Sequence, residues 1–415
     1  MTDFFAGGTP AAGIRAELAE LRGGNARWND LRNLRASYFA GDDVVQIAGE
    51  AYSAYFGMNA LYGAIAYPSL RRIEAEVVAT LLRLFQAPDG ATGSITSGGT
   101  ESIFMAVKTA RDWARARRPE IAAPTMVVPR TAHAAFSKAG ELLGVGVRRM
   151  ASSPGFRADL AAMTAAIDGS TIMIVGSTPG YAYGTLDPVG EIAALAERHG
   201  LWMHVDACVG GMVLPFARDL GSPIPAFDFA VPSVTSLSVD LHKYGYALHG
   251  CSALILRDGE LGQYQRYQFD QWPVGGYSTT NLVGSRSGGP VASAWAVMKY
   301  LGAAGYRERV GRMLDAKRRL TEGIRAIDGL AVFGEPEATL LAFGSAQLDM
   351  AAIGQEMTRL GWSFARVVEP PGMLLLLNGF HGAIVAEFLD DLRLTAVAVA
   401  EGRIVAEVRP AVYTV

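Results

Sequence analysis

The chain has 415 residues, of which 50% are hydrophobic and 19% charged, so it can bury a large core and is long enough for two or more domains. A formal net charge of −3, with no basic run interleaved with aromatic residues, gives no support to a nucleic-acid partner. The two cysteines, Cys208 and Cys251, exclude a disulfide framework and favour a reducing compartment. The N-terminus has no signal-peptide pattern and the longest apolar runs are strand-length, so we expect a cytoplasmic protein with no membrane partner.

The predicted elements begin with helical segments over residues 10–55 and 67–85, where apolar residues recur at helical spacing. From residue 93 a glycine-rich loop leads into a helix that ends near residue 116. Further helices are predicted at 132–143, 158–168 and 188–199. Between and after them lie short apolar runs typical of strands: 125-TMVVP-129, 171-TIMIVGS-177, 201-LWMHVDA-207, 234-VTSLSVD-240 and 252-SALILR-257. This alternation predicts a mostly parallel sheet covered by helices on both faces.

A glycine-rich loop, 274-VGGYSTTNLVGSRSGGP-290, closes this region, and a helix over 290–304 leads into a smaller lobe. The smaller lobe is predicted to contain strands at 339–345 and 373–380 and a final helix near 383–401. We therefore predict an α/β fold with three parts. These parts are an N-terminal helical segment (1–58), a large α/β domain (59–292) and a small α+β C-terminal domain (293–415).

The segment 97-SGGTES-102 is a candidate anion site. Its glycines, Gly98 and Gly99, allow backbone N–H groups to approach an anion closely, and the helix that follows directs its positive end at the same point. Thr100 and Ser102 could add hydroxyl donors. The alternative is a tight turn with a Ser or Thr helix cap.

A carboxylate stands at the end of a strongly apolar strand in 204-HVDACVGG-211. Asp206 would be costly there unless a cation meets it, and the carboxyl ends of parallel strands form the ligand crevice of such sheets. A protonated ring nitrogen is one suitable cation. His204 shares the face of Asp206, but no third ligand has suitable spacing, so no metal is expected. The alternative is an Asp that caps the next helix.

Lys243 lies among apolar residues in 238-SVDLHKYGYALHG-250. A lysine on a crevice wall with few nearby cations can lose its proton, as Schiff-base formation requires. The alternative is an ordinary lysine at a strand end. Together, however, the glycine loop, the carboxylate and the lysine match the three polar handles of pyridoxal 5′-phosphate, which are its phosphate, its pyridine nitrogen and its aldehyde.

An ordered set of motifs resembles the fold-type I pyridoxal-phosphate enzymes of the aspartate aminotransferase superfamily. Within them the sequence resembles the sphingosine-1-phosphate lyases, which are related to the group II amino-acid decarboxylases. The motifs run from about residue 35 to the C-terminus and are LRRIEAEVV, TSGGTESI, AHAAFSKA, STP followed by G and DP, HVDACVGG, HKYGYA and GSRSGG. The resemblance implies the fold-type I architecture, with a seven-stranded type of sheet in the large domain.

The resemblance also implies roles for individual residues. Lys243 would form the Schiff base with the cofactor, and Asp206 would hold the pyridine nitrogen protonated. His133 would stack on one ring face and Cys208 on the other. The remaining cofactor-binding residues would be Gly99, Thr100, Ser177, His242 and, reaching the phosphate in the neighbouring subunit, Ser285. A homodimer with active sites at the subunit interface is thereby implied.

Two departures from the lyase pattern concern the substrate. A Pro-Lys pair follows HKYGYA in those lyases, whereas Leu248 and His249 stand here, and Tyr62 of 59-NALY-62 stands where they carry a histidine. Tyr38 and Asn59 keep matching positions. The resemblance thus implies substrate contacts at Tyr38, Asn59, Tyr62 and His249, with His249 or Tyr62 also a candidate for hydroxyl deprotonation. A smaller, water-soluble amine is one candidate substrate.

The leading hypothesis is a pyridoxal-phosphate-dependent carbon–carbon lyase of the retro-aldol type, acting on a β-hydroxy amine or its phosphate ester. The alternative is an amino-acid decarboxylase, in which Arg130, Arg286 or Arg366 could hold an acidic group. A third possibility, a catalytically silent relative that acts as a binding module, is disfavoured because Lys243 and Asp206 are both present.

Overall fold

Two β-sheets organise the chain, which a computed structural model describes over residues 7–25, 27–35 and 37–406. The larger sheet has seven strands, and four of its six neighbouring pairs are parallel. In spatial order the strands are β1 (Thr92–Thr96), β7 (Ser252–Leu256), β6 (Ser236–Asp240), β5 (Trp202–Asp206), β4 (Thr171–Ser177), β2 (Thr125–Pro129) and β3 (Gly146–Met150). Strand β7 runs antiparallel to both of its neighbours.

Helices cover both faces of this sheet, because its central strands are apolar on both sides. Every residue of β4, β5, β6 and β7 is buried. One core cluster lies between the sheet and the helices α4 and α5, and a second extends past α3 and α7 towards the smaller sheet. The helices of this region are α3 (Pro68–Leu84), α4 (Gly99–Arg117), α5 (Ala135–Leu143), α6 (Leu160–Ala166), α7 (Val189–His199), α8 (Leu214–Asp219) and α9 (Gly262–Gln265).

The smaller sheet is antiparallel and follows the longest helix. Its spatial order is β10 (Ala331–Val332), β11 (Leu340–Gly344), β13 (Pro371–Leu376) and β12 (Ala365–Val368). A separate hairpin pairs β8 (Tyr267–Phe269) with β9 (Tyr277–Thr279). The remaining helices are α1 (Ala11–Gly23), α2 (Asp42–Tyr55), α10 (Gly289–Arg325), α11 (Met350–Arg359) and α12 (Val385–Ala400), with short 3₁₀ turns at Ala60–Tyr62, Gly259–Leu261 and His381–Ala383.

The predicted fold class is confirmed: a mostly parallel seven-stranded sheet is joined to a smaller α+β part. The division at residues 58 and 292 stays a prediction, and the ends of its outer parts (1–6 and 407–415) lie outside the described residues. Among the described helices, none combines the length and apolarity that a bilayer crossing requires.

Several elements differ from the sequence prediction, and three of them have a clear physical reason. Strand β1 forms where the sequence predicts a loop, because TGSIT is polar and contains glycine. Strand β3 is absent from the prediction, because GVRRM is an edge strand with two arginines. A kink at Gly302, φ 52°, separates the helix predicted over 290–304 from a second helical stretch that continues to Arg325 and is absent from the prediction. Glycine adopts this backbone conformation without strain.

Candidate active site

Three polar residues end adjacent parallel strands of the large sheet. Ser177, Asp206 and Asp240 are the last residues of β4, β5 and β6. Ser177 lies opposite Asp206 in the strand register, and Asp206 lies opposite Ser238. The carboxyl ends of parallel strands line the ligand crevice in such folds, and Asp206 therefore occupies the kind of position that its sequence predicted.

Lys243 lies three residues beyond β6 and points back at that strand. Its Nζ is 2.8 Å from Oδ2 of Asp240, and 21% of its side chain is exposed. Burial alone would lower the pKa of Lys243, but the Asp240 carboxylate opposes burial and the net shift is upward. The lysine is therefore an ammonium at neutral pH in this arrangement.

Tyr38 reaches the same place from the N-terminal segment. Its ring packs edge-on against Tyr244, with 5.1 Å between centroids. Burial raises the pKa of Tyr38, while the charge of nearby Lys243 acts in the opposite direction. The phenol is thus neutral at neutral pH and near enough to Lys243 for their charges to interact.

Asp206 and its neighbours at the ends of β5 and β6 are joined by polar contacts. Its Oδ1 accepts a hydrogen bond from the backbone N–H of Cys208 at 3.1 Å, and the Cys208 thiol donates to Ser238 Oγ at 3.3 Å. Ser238 Oγ is also 3.2 Å from Nε2 of His204. Burial lowers the pKa of His204 to about 4, so this histidine is a neutral member of the core.

The predicted anion loop leads into the first turn of α4. A Cβ on Gly99 would lie 2.8 Å from both carboxylate oxygens of Asp240 and 3.0 Å from Cys208 Sγ, so only glycine permits this approach. Thr100 is exposed in the first helical turn. The loop is held in place by buried Glu101, which accepts hydrogen bonds from the N–H and the hydroxyl of Ser97 at 2.7 and 2.6 Å.

Two histidines flank the lysine at the edge of the site. His242 has its Nδ1 2.8 Å from the carbonyl oxygen of Cys251, and its Nε2 is 3.8 Å from Asp240. Burial lowers the pKa of His242, against the opposing effect of Asp240. The His249 ring is exposed and its centroid is 5.2 Å from that of His242.

The remaining predicted site residues lie on exposed or connecting segments. His133 is exposed at the start of α5, where its Nδ1 accepts a hydrogen bond from the N–H of Ala135 at 3.1 Å. This is the position of a helix-start histidine, and stacking on a cofactor ring stays a prediction. Tyr62 ends a 3₁₀ turn and is 50% exposed.

Asn59 is tied within its own chain. Its Nδ2 donates to Ser285 Oγ at 2.9 Å, and its Oδ1 accepts from the backbone N–H groups of Leu61 and Arg286 at 3.1 and 3.2 Å. Asn59 thereby fastens the GSRSGG loop to the N-terminal part of the chain. Contacts of Asn59 with substrate, and of Ser285 with a neighbouring subunit's cofactor, stay predictions.

The residues gathered here suit pyridoxal 5′-phosphate. The buried hydroxyls of Ser177 and Thr178, beside Asp206 at the strand ends, have no hydrogen-bond partner among the described residues, as expected of groups that await a polar ligand. The Gly99 cradle at a helix N-terminus suits a phosphate, Asp206 a protonated ring nitrogen and Lys243 an aldehyde.

Comparison with known proteins decides the family. Residues 24–345 match the pyridoxal-dependent decarboxylase conserved domain. The chain belongs to this family. Sphingosine-1-phosphate lyase of rice is 38% identical over 400 residues, which cover 92% of this chain and 74% of that protein. The solved structure of a sphingosine-1-phosphate lyase from Burkholderia pseudomallei superimposes with a TM-score of 0.92 at 34% identity, over 97% of this chain and 94% of that one.

Within the family the chain is a sphingosine-1-phosphate-lyase-like member and a pyridoxal-phosphate-dependent lyase. A probable L-tyrosine/L-aspartate decarboxylase of Methanothermobacter thermautotrophicus is also similar, at 33% identity over 78% of this chain and 88% of that protein. The decarboxylase alternative is less well supported than the lyase.

The three arginines considered for a decarboxylase have other surroundings. Arg130 forms an exposed ion pair with Glu369 of the small lobe, and Arg286 pairs with Glu74 at 3.3 Å. Arg366 is exposed on β12. Two of the three are thus already neutralised by carboxylates.

Sequence reasoning missed three residues of the site. Asp240 ends β6 as Asp206 ends β5, and the same argument about a carboxylate closing an apolar strand would have found it. Tyr181 interacts electrostatically with Tyr38, and no local pattern signals this interaction because the two residues are far apart in sequence. Glu101 joins two segments, because its Oε2 accepts hydrogen bonds from Ser97 and its Oε1 accepts one from the Leu282 N–H at 2.8 Å. This role also depends on tertiary structure.

Proposed function

We propose that this enzyme cleaves the Cα–Cβ bond of a β-hydroxy amine or of its phosphate ester and releases an aldehyde. The observation that carries the proposal is the match of nearly the whole chain, 97%, to a bacterial sphingosine-1-phosphate lyase at a TM-score of 0.92. It is further supported because Asp206 and Asp240, the carboxylate beside Lys243, end adjacent parallel strands.

The chain's own residues would divide the work as follows. Lys243 would hold the cofactor covalently and return a proton to the reacting carbon after bond cleavage. Asp206, braced by the Cys208 N–H, would keep the pyridine nitrogen protonated. When bound, pyridoxal phosphate supplies the electron sink that accepts the electron pair of the broken bond.

The substrate's polar end would meet the exposed rim of the site. His249 and Tyr62 are both exposed, and Tyr38 stands deeper, beside Lys243. His249 or Tyr62 would assist removal of the β-hydroxyl proton or bind the polar end.

A product assay tests the proposal. Purified enzyme is incubated with β-hydroxy amines, their phosphate esters and amino acids, while aldehyde and carbon dioxide are both measured. Aldehyde release that is lost in Lys243→Ala and kept in the exposed-lysine control Lys138→Ala supports the lyase. Carbon dioxide without aldehyde would establish the decarboxylase, which similarity to the Methanothermobacter protein favours as the second candidate. Borohydride reduction should attach the cofactor to Lys243.

We also propose a cytoplasmic homodimer with active sites at the subunit interface. Support comes from large apolar side chains that stand exposed near the site, including Tyr62, Ile65, Phe269, Trp272 and Leu282. These side chains lie on segments that are close in space, since a Cβ on Gly284 would be 3.3 Å from the Tyr277 hydroxyl and 3.9 Å from Leu61 Cδ2. A second copy that covers this surface would enclose the open side of the crevice.

A further inference from the structure

Asp240 is held rigidly at the base of the lysine loop, which we define as residues 241–251. It is the last residue of β6 and pairs in register with Ser252, the first residue of β7. Ser252 Oγ donates to Oδ1 of Asp240 at 2.6 Å, while Oδ2 lies 2.8 Å from Nζ of Lys243. Each oxygen of the buried carboxylate therefore has its own partner.

Among the residues that the structure describes, the groups that interact electrostatically with Lys243 include the Asp240 carboxylate, Tyr38 from the N-terminal segment, Cys208 from the turn after β5 and His242 on the lysine loop. Burial raises the pKa of the Tyr38 phenol and of the Cys208 thiol, so both are neutral at neutral pH. On the lysine loop itself, His242 faces Asp240 at 3.8 Å.

The first turn of α4 stabilises this carboxylate. Gly99 lets the helix N-terminus come against Asp240, and the positive end of the helix dipole favours a negative charge there. An ionised Asp240 is thus compatible with its burial, because both the helix end and the Lys243 ammonium compensate its charge.

We propose that Asp240 is a positioning residue for Lys243: its Oδ2 holds Nζ in place as an ammonium before the cofactor binds and thereby sets the pH above which Nζ becomes a nucleophile. When Nζ becomes a nucleophile, one N–H bond of Lys243 breaks and the proton passes to water, which leaves a neutral amine beside the carboxylate. The inference rests on the proposed function in one respect, that Lys243 is the lysine that holds the cofactor.

A purely structural role for Asp240 makes a different prediction. If the carboxylate only closed the β6–β7 connection through Ser252, its replacement would alter folding stability and leave the reactivity of Lys243 unchanged. The chemical reactivity of Lys243 against pH therefore separates the two roles.

The test measures reductive methylation of Lys243 in full-length protein from which the cofactor has been removed with hydroxylamine. Formaldehyde and cyanoborohydride label only the neutral amine, and peptide mass spectrometry compares Lys243 with the exposed Lys138 in the same sample. Wild type should require a higher pH to label Lys243 than to label Lys138. In Asp240→Asn burial acts unopposed, and Lys243 labelling at pH 8 should rise about tenfold for each unit by which its pKa falls.

Two matched variants control for the structure around the loop. Asp240→Glu keeps the charge and should retain the high labelling midpoint of wild type. Ser252→Ala removes the hydrogen bond to Oδ1 but leaves Oδ2 beside Nζ, and should also label as wild type does. Circular dichroism and melting temperature establish that each variant is folded.

A second readout follows the visible absorbance that returns when pyridoxal phosphate is added to the stripped full-length protein. The pH midpoint of this loading rate should lie lower in Asp240→Asn than in wild type.

A folded Asp240→Asn protein with the wild-type labelling midpoint would overturn the inference. If that variant does not fold, labelling of wild-type Lys243 at or below the midpoint of Lys138 overturns it equally. Borohydride attachment of the cofactor to a different lysine would instead refute the proposed function, and is distinguishable because it says nothing of the Lys243–Asp240 pair.

Discussion

Gly99 and Asp240 are packed so closely that a Cβ on Gly99 would lie 2.8 Å from both oxygens of the carboxylate. Asp240 cannot move aside without losing its hydrogen bond from Ser252 or its ion pair with Lys243. We expect Gly99→Ala to weaken pyridoxal phosphate binding by about tenfold or more, equivalent to ~1.4 kcal/mol, as measured by equilibrium titration of the stripped protein.

Gly98 provides the matched control for this substitution. Its backbone is extended, and an added Cβ would lie 3.7 Å from His242 Cε1, an ordinary contact. Gly98→Ala should therefore cost less affinity than Gly99→Ala. Equal losses of affinity in the two variants would show that the close packing of Gly99 against Asp240 does not determine cofactor binding.

Replacing Asp206 by Asn removes the negative charge at the end of β5 and keeps the shape of the side chain. Turnover should fall by about 100-fold or more, because a neutral amide does not hold a ring nitrogen protonated. The steady-state rate of aldehyde release measures this effect. Asp219→Asn, at an exposed carboxylate paired with Arg307, serves as the control and should retain wild-type turnover.

His249 is expected to set the preference for the substrate's polar end. His249→Lys should lower KM for a phosphate ester by about tenfold, because the lysine ammonium adds a positive charge for the phosphate. His249→Ala should raise KM for the same ester. KM and kcat measured for a phosphate ester and for the free amine test the idea, and an unchanged turnover and KM in His249→Ala would end it.

The exposed apolar surface beside the site predicts self-association. Trp272 is 51% exposed, and Trp272→Ser should weaken the dimer by about 2 kcal/mol, as measured by sedimentation equilibrium. Leu394 on α12 is exposed too, and Leu394→Ser is the matched control. A wild-type protein that remains monomeric at micromolar concentration would contradict the dimer proposal.

His204 predicts a fall in stability on acidification. Burial lowers its pKa in the folded state to about 4, so below pH 6.5 the unfolded chain binds a proton that the folded chain does not. This contribution to stability is complete above pH 6.5 and is lost as the pH falls towards 4. His381 behaves alike, with a pKa of about 4 caused by burial.

Urea unfolding measures this effect. Between pH 6.5 and pH 5, the free energy of unfolding should fall by up to about 2 kcal/mol for each of these histidines. In His204→Gln, whose side chain can still bond to Ser236 and Ser238, the free energy of unfolding should fall by up to about 2 kcal/mol less than in wild type over the same pH range. Equal slopes for the two proteins would contradict the assignment.

The large sheet was predictable because its strands are apolar on both faces and alternate with helices. Strand β3 was not, since an edge strand can carry Arg148 and Arg149 without a burial cost. In the site, Asp206 and Lys243 stood out because a charged residue in an apolar segment needs a reason. The bond from Asn59 to Ser285 had no such signal, because it joins positions 226 apart through two exposed polar segments.

The lysine loop is closed at its base by Asp240 and Ser252, and inside it His242 N–H donates to the carbonyl of Cys251 at 3.0 Å. None of these hydrogen bonds involves the side chains of Leu248 and His249, which stand further along the loop. On the proposed roles of Lys243 and His249, attachment of the cofactor and choice of substrate can consequently change independently. A gene library randomised at positions 248 and 249 would explore new substrates on an unaltered cofactor anchor.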